Sequence, residues 1–153
     1  MSLRDRFTQD LKEAMKAGDK GRLGTVRLIQ AALKEKDIEA RGAGREAAGD
    51  EEIMGLLQKM VKQRQESAGI YEQNGRPELA ATERAEIAVI QGYLPKQMDE
   101  AETRAAIEAA IAETGAASMK DMGKVVGALR GRYAGGMDFS KASALVKEML
   151  PKG

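Results

Sequence analysis

Hydrophobic residues recur at intervals of three and four through most of the chain, which is the spacing of one face of an α-helix. The first such stripe consists of Leu3, Phe7, Leu11, Ala14 and Met15. It predicts a helix from about Leu3 to Ala17. Ser2 is suited to cap its N-terminus, and Gly18 is suited to end it in a left-handed conformation.

Three further helices are predicted before residue 92. The second begins near Asp19 and ends near Ala40, and we expect it to be central because hydrophobic residues cover more than half of its circumference. Residues 41–50 contain three glycines without hydrophobic periodicity, which predicts a mobile loop. Asp50 is the predicted N-cap of the third helix, and Pro77 suits the first turn of the fourth.

The helical pattern is interrupted at Gly92 and Pro95, where we place a domain boundary. Beyond it, Asp99, Ser118 and Asp138 are the predicted N-caps of three short helices. No segment alternates hydrophobic and polar residues as a strand would. The sequence therefore predicts an all-α protein, with an N-terminal four-helix domain over residues 1–94 and a small C-terminal three-helix domain over residues 95–153.

Composition excludes several kinds of chemistry. The 153 residues include no cysteine and no histidine, which excludes thiolate nucleophiles, Cys/His zinc sites and histidine acid–base catalysis. We predict no catalytic residue, no metal and no cofactor. The first residues lack the apolar core of a signal peptide, and no apolar run approaches the ~20 residues of a membrane span. We therefore expect a soluble cytoplasmic protein without a membrane partner.

The formal net charge of the whole chain is only +1, but the C-terminal third is polarised. From Asp99 to Thr114, five acidic residues and one basic residue give a net charge of −4. From Ser118 to Gly153, seven basic and three acidic residues give +4. The last segment is therefore the part of the chain best suited to a negatively charged partner.

Three polar residues fall on the hydrophobic faces of the third and fourth helices. The turn between these helices centres near Gly75, so an antiparallel hairpin places residues whose numbers sum to about 150 at one level. Arg64 then faces Glu86, with Glu83 nearby. A buried guanidinium needs a carboxylate partner, which favours a structural ion pair that fixes the helix register. A carboxylate-based active site is the alternative.

The sixth helix has two distinct faces. Its core stripe consists of Met122, Val125, Val126, Leu129 and Tyr133. The opposite face, which we call the glycine face, presents Gly123, Gly127 and Gly131 edged by cations. The candidate RNA-binding residues are Lys120, Gly123, Lys124, Gly127, Arg130, Gly131 and Arg132.

A bare helix backbone edged by cations lets a phosphate backbone approach closely, which favours RNA as the partner of the glycine face. Two alternatives remain open. In the first, the glycines allow close packing against the N-terminal domain or against a protein partner. In the second, they lie on a solvated surface and have no role.

Four stretches of the sequence are distinctive: RLGTVRLIQAALKEKDIEARG, KQRQESAGIYEQNGRPELAATERAEI, GYLPKQMDEAE and MGKVVGALRGRYAGGMDFSKASALVKEML. Together they span nearly the whole chain, and they resemble the bacterial YqeY-like proteins of the GatB/YqeY group. The last stretch is similar to the tail of the GatB subunit of the glutamine-dependent aminoacyl-tRNA amidotransferase.

The resemblance implies an N-terminal helical domain followed by a three-helix domain. It also implies contact with tRNA, because the tail of the amidotransferase is associated with holding tRNA while its chemistry occurs elsewhere. The residues that correspond to the glycine-and-basic segment of that tail are Gly123, Lys124, Gly127, Arg130, Gly135 and Gly136.

Three functional hypotheses follow from the residues and the resemblance. The first is a non-catalytic accessory protein that contacts tRNA or another RNA. The second is a component of carbon–nitrogen ligase activity with glutamine as amide donor, which is the label that the family implies. The third is a helical adaptor that binds a protein through the glycine face. The chain has no cysteine nucleophile, Gly/Ser-rich amidase segment or P-loop, so the resemblance implies tRNA contact rather than catalysis.

Overall fold

The computed structural model describes residues Met1–Pro151, and its regular structure is helical throughout that range. The α-helices are α1 (Leu3–Ala17), α2 (Lys20–Gly42), α3 (Asp50–Gln73), α4 (Pro77–Gln91), α5 (Glu100–Thr114), α6 (Met122–Tyr133) and α7 (Phe139–Met149). A 3₁₀ turn, Met119–Asp121, comes directly before α6. The prediction of an all-α fold is confirmed for the described residues. None of the described helices is both long enough and apolar enough to cross a lipid bilayer.

The chain divides into two compact units, the first ending at Leu94 and the second beginning at Pro95. Helices α1 to α4 belong to the first unit, and α5 to α7 belong to the second. That each unit is a domain able to fold alone stays a prediction.

Local sequence sets several helix ends. The Ser2 hydroxyl accepts a hydrogen bond from the Asp5 amide, while the Asp5 carboxylate accepts one from the Ser2 amide. The same reciprocal pattern joins Asp99 and Glu102 at the start of α5. Gly18 ends α1 with φ 69°, a left-handed value that residues with a side chain rarely adopt. These predicted caps are confirmed.

The connection between α2 and α3 differs from the prediction in two details. Helix α2 continues to Gly42, so the loop predicted over residues 41–50 is shorter. Asp50 is the first residue of α3 rather than its N-cap, a position that Gly49 occupies. The Glu52 carboxylate accepts a hydrogen bond from the Gly49 amide at 3.4 Å. An acidic side chain inside the first turn therefore satisfies the backbone donor, and no side chain is needed at the cap.

The first unit buries one hydrophobic cluster. Helices α3 and α4 form a hairpin, and α2 packs against α1, α3 and α4. The most deeply buried side chains include Phe7, Val26, Ile29, Leu57 and Ile90. Each such side chain contributes about 1.5–3 kcal/mol by leaving water. The central position of α2 agrees with its wide hydrophobic face.

A polar network joins α1 to the connection after α2. The Arg4 guanidinium donates to the two Asp37 carboxylate oxygens at 2.7 and 2.9 Å, and also to the Ala48 carbonyl oxygen at 2.9 Å. The Ala48 amide in turn donates to Asp37 at 3.0 Å. The hydrogen bond from Arg4 is the main cause that lowers the pKa of Asp37 to about 2. The Asp37 carboxylate is therefore ionised at ordinary pH.

The second unit buries a separate cluster. Ile107 of α5, Val125 and Leu129 of α6 and Val146 of α7 are almost inaccessible to solvent. Met137, in the connection between α6 and α7, is fully buried with them. The core stripe predicted for the sixth helix thus faces its two neighbouring helices.

We expect a fragment of residues 1–94 to unfold cooperatively, because the hydrophobic cluster of the first unit is contained within it. Thermal unfolding followed by the helical circular-dichroism signal is the measurement. A fragment of residues 1–91 is the matched control, since it lacks Tyr93, a buried member of the cluster, and should melt at a lower temperature. A gradual loss of helix from the 1–94 fragment would contradict the independence of this unit.

Candidate functional site

The α3–α4 hairpin joins Arg64 to Glu86. The Arg64 Nε donates to Glu86 Oε2 at 2.8 Å, and a terminal guanidinium nitrogen donates to the Met60 carbonyl oxygen at 3.2 Å. The side chains of Arg64 and Glu86 are 16% and 24% exposed, respectively. The guanidinium therefore meets the carboxylate of the opposite helix in a setting that is largely shielded from water.

Glu83 does not share this ion pair. Its side chain is half-buried on α4, and within residues 1–151 no hydrogen bond joins it to Arg64. General acid–base catalysis by two carboxylates requires both to face a common reactant. Here Glu86 is instead held by a guanidinium. We therefore interpret the pair as a structural contact that fixes the register of α3 and α4, and not as an active site.

The glycine face of α6 is open. Gly123, Gly127 and Gly131 are all exposed, and open space surrounds the position that a Cβ would take at each of them in the described part of the chain. On the other side of the helix, Val125 and Leu129 are buried. The glycines span about two helical turns, so a stretch of bare backbone about 12 Å long is accessible from outside the unit.

Two cations lie beside this open backbone. The Lys124 side chain is 70% exposed, and its Nζ lies 3.8 Å from the Asp121 carboxylate. The Arg130 guanidinium carbon lies 5.5 Å from the centroid of the Phe139 ring, within the range of a cation–π contact. Both side chains remain at the surface. An exposed ion pair at this distance is weak, so Lys124 is free to contact another anion.

Two other candidate cations, Lys120 and Arg132, have settings that differ from those of Lys124 and Arg130. Lys120 belongs to the 3₁₀ turn before α6, because the Ser118 hydroxyl accepts a hydrogen bond from the Lys120 amide and caps that turn. The prediction that Ser118 caps the sixth helix itself is therefore wrong.

Arg132 forms an ion pair with Glu113 of α5, and this contact raises the pKa of Arg132. The charge of Arg132 is thus partly offset within the unit.

The last two glycines of the segment are buried, unlike the first three. Gly135 adopts φ 82°, which only glycine tolerates easily. The Gly136 carbonyl oxygen accepts a hydrogen bond from the Met98 amide at 2.8 Å, and a Cβ on Gly136 would lie 3.4 Å from the Lys96 carbonyl oxygen. Gly135 and Gly136 therefore hold the chain before α5 against the α6–α7 connection and are not part of the glycine face.

A polar cluster in the first unit was not predicted from the sequence. The Tyr93 hydroxyl donates to the Asp10 carboxylate, which also pairs with Arg22 at 2.9 Å. The Tyr93 ring packs edge to face on Phe7, with centroids 4.8 Å apart. Burial is the main cause that raises the pKa of Tyr93, so the hydroxyl keeps its proton and acts as a donor. The cluster ties the end of the first unit to α1.

No short motif could have revealed this cluster. Tyr93 and Asp10 are 83 residues apart in the sequence, and each has an ordinary local context. The Arg6 guanidinium adds a contact 5.0 Å from the Tyr93 ring centroid and donates to the Gly92 carbonyl oxygen. All of these contacts join protein groups to each other, which makes the cluster structural.

Comparison with protein families gives one match that spans almost the whole chain. The model described as "Yqey-like protein" matches residues 4–150.

In the part of the chain that the structure describes, no group of three or more acidic, histidine or cysteine side chains is arranged to hold a metal ion.

Curated relatives are fungal proteins named altered inheritance of mitochondria protein 41, mitochondrial. The one from Vanderwaltozyma polyspora is 36% identical over 87 residues, which are 56% of this chain and 45% of the relative. The one from Eremothecium gossypii is 35% identical over 86 residues, again 45% of the relative. The matched part of the chain thus spans less than half of the length of these two proteins.

A further relative, from Pyrenophora tritici-repentis, is 29% identical over 150 residues, which are 95% of this chain and 79% of the relative. All three relatives are named as mitochondrial proteins. This finding overturns the cytoplasmic localisation expected from the sequence. That expectation depended on the absence of a signal peptide and of apolar runs, and neither feature distinguishes the cytoplasm from a mitochondrion.

We expect Arg64→Ala to lower the free energy of unfolding by about 1–3 kcal/mol, between the values typical of exposed and of fully buried ion pairs. The substitution leaves the Glu86 carboxylate without its partner in a shielded position. Equilibrium denaturation of the full chain is the measurement.

Arg84→Ala is the matched control for this substitution. Arg84 pairs with Glu72 across the same hairpin, but the two side chains are 54% and 50% exposed. Its loss should lower the free energy of unfolding by less than about 1 kcal/mol. Equal effects of the two substitutions would show that Arg64 has no special role in the hairpin.

Proposed function

The chain belongs to the family of YqeY-like proteins, and from this premise we propose that it is a non-catalytic accessory protein that binds tRNA or another RNA. The glycine face of α6 is the proposed contact surface. The observation that carries the proposal is the open space above Gly123, Gly127 and Gly131, with Lys124 and Arg130 at its edges.

The shape of the surface supports an RNA backbone as the ligand. Glycine in a helix interior costs about 0.5–1 kcal/mol relative to alanine, so three glycines on one face lower the stability of α6. Their benefit is access: a phosphate group can approach the helix backbone more closely than any side chain would allow. A flat, narrow strip with cations beside it suits a polyanion better than a small molecule, which needs a concave pocket.

The electrostatics of the surface point to the same ligand. Lys124 and Arg130 are exposed beside the glycines, and Lys120 is exposed in the 3₁₀ turn that precedes α6. Contacts between such cations and phosphates supply most of the affinity of sequence-independent nucleic-acid binding. Arg132 has a smaller part in the proposal because Glu113 already pairs with it. The resemblance of residues 122–150 to the tail of an amidotransferase subunit adds support for tRNA as the RNA bound.

We expect Gly127→Leu to weaken binding to bulk tRNA while leaving the protein folded. Leucine is a better helix former than glycine, so the melting temperature should stay the same or rise. The side chain would occupy the open space above the helix and keep a phosphate backbone away. Affinity by fluorescence anisotropy and melting temperature are both measured on the full chain.

Gly55→Leu is the matched control for the steric prediction. Gly55 is an exposed glycine inside α3, and a Cβ there would also meet open space. This control should change neither the fold nor tRNA affinity. A folded Gly127→Leu protein with unchanged tRNA affinity would remove the glycine face as the contact surface. A lower melting temperature would instead support the alternative that the face packs against protein.

We expect Lys124→Ala and Arg130→Ala to act through charge. Each should reduce the slope of log affinity against log salt concentration by about 0.7–0.9 if the side chain contacts one phosphate. A titration of each variant with tRNA at several salt concentrations measures that slope. Arg132→Ala provides the comparison, because a cation already paired with Glu113 should change the slope less. Slopes that do not respond to Lys124 or Arg130 would contradict the proposal.

A further inference from the structure

A row of basic residues runs along the exposed side of α2. Lys20, Arg27, Lys34 and Arg41 follow one another at intervals of seven residues, and all four are exposed. Seven residues are nearly two helical turns, so the four side chains share one face, with neighbours about 10 Å apart along the axis. We call this row the α2 basic stripe. Its total length is about 30 Å.

The cations of the α2 basic stripe are not neutralised by the protein. Lys20, Arg27 and Lys34 form no ion pair within residues 1–151, and Arg41 donates only to the Glu46 carbonyl oxygen, at 3.2 Å. Other cations of the same unit pair with carboxylates: Arg4, Arg22, Lys36, Arg45, Arg64, Arg76 and Arg84. The stripe therefore places four cations without a carboxylate partner in one row, whereas Lys12, Lys16 and Lys59, which also lack one among the described residues, are spread over α1 and α3.

The acidic residues of α2 do not cancel this charge. Asp37 is bound to Arg4, and Glu39 is bound to Lys36. Glu35 is exposed and lies at the edge of the stripe rather than within it. Asp37 also lies close enough to Arg41 for that cation to be one of the causes that lower the pKa of Asp37. The positive potential is thus reduced near Arg41 and beside Glu35.

Small residues lie between the cations of the stripe, so few side-chain atoms project from the helix there. Gly24 and Ala31 lie within the stripe, and both are exposed. A Cβ at Gly24 would meet open space. The exposed large hydrophobic side chains of α2 are Leu28, at the margin of the row, and Ile38, within it, and they are 45% and 57% exposed. A ligand that lies over Gly24 and Ala31 can therefore reach successive cations, with Leu28 at the margin of its path over the first three turns.

We propose that the α2 basic stripe binds the phosphate backbone of RNA, as a second contact surface in addition to the glycine face of α6. The identity of the polymer as RNA rests on the proposed function, whereas the surface itself is argued from α2 alone. The spacing of the cations selects a polymer over a single anion. A free phosphate or a mononucleotide could reach at most two cations that are about 10 Å apart, whereas a nucleic-acid backbone offers negative charge along the whole row.

A membrane surface with anionic lipids is the competing polyanion, and the structure favours it less. Helices that lie in a membrane interface insert a broad apolar face, with aromatic and leucine side chains, between the lipids. The apolar face of α2 is instead buried in the core of the unit, through Val26, Ile29 and Leu33. Outward, α2 presents charge with two separate apolar side chains, Leu28 and Ile38, rather than a broad apolar face, which matches electrostatic backbone contact.

The test is a salt titration of the full chain with bulk tRNA, comparing the unsubstituted protein with a Lys20→Gln, Arg27→Gln, Lys34→Gln triple variant. All three side chains are exposed and glutamine keeps helix propensity, so circular dichroism should show an unchanged fold. If each cation contacts one phosphate, the slope of log affinity against log salt should fall by about 2 to 3.

A second triple variant, Lys12→Gln, Lys16→Gln, Lys59→Gln, is the matched control. These lysines are exposed, belong to α1 and α3 of the same unit, and lose the same total charge when replaced. The control should leave the slope unchanged. Equal losses in both triple variants would show a general charge effect and overturn the stripe as a site.

Comparison with the α6 variants separates this inference from the proposed function. If Lys124→Ala lowers the slope and the α2 triple variant does not, the stripe is overturned while RNA binding by α6 stands. The opposite result supports the stripe and removes the glycine face. A third assay uses vesicles of phosphatidylcholine with phosphatidylserine. Vesicle binding that depends on the stripe, together with tRNA binding that does not, would assign the stripe to a membrane and overturn the inference.

Discussion

The structure depends on burying helix faces that are mostly aliphatic. Aromatic residues are 3% of the chain and tryptophan is absent, so aliphatic residues and methionine fill most of both cores, with Phe7 and Tyr93 as aromatic members of the first. Leu57 and Ile90 in the first unit, and Ile107 and Leu129 in the second, are almost completely buried. Small aliphatic side chains fill space only when helices approach closely and each turns one fixed face inward. Because the inward face of each helix is set in this way, the residues that the helix exposes to solvent are set as well.

Charged residues are then divided between two uses. Arg64, with Glu86, joins two helices of one hairpin, and Arg4 joins α1 to Asp37 and to the backbone at Ala48. These arginines are partly shielded, and losing a partner there leaves a charge in a poorly hydrated place. Other cations, on the α2 basic stripe and beside the glycine face, lie on faces that the cores do not need. Such charges add little to stability, so their arrangement is free to serve a partner. The glycine face of α6 combines a bare backbone with few cations. The α2 basic stripe combines several cations at a regular spacing.

The sequence alone determined which segments are helical, because hydrophobic period and capping side chains act over a few residues. The Ser2, Gly18 and Asp99 caps and the inward face of α6 are of this kind. The match in level between Arg64 and Glu86 was also predictable, since one short turn near Gly75 fixes the register of a hairpin. The exposed position of the α6 glycines followed from the same helical geometry.

Contacts between distant segments were decided only by the tertiary structure. Tyr93 meets Asp10 across 83 residues, and Arg132 meets Glu113 on a neighbouring helix. Periodicity shows which face of a helix is buried, but it does not show which side chain lies opposite. The burial of Gly136 likewise depends on how the α6–α7 connection meets the chain before α5. Whether each cation is free to bind a partner also depends on the tertiary structure, because the packing of other helices decides whether a carboxylate lies close to it.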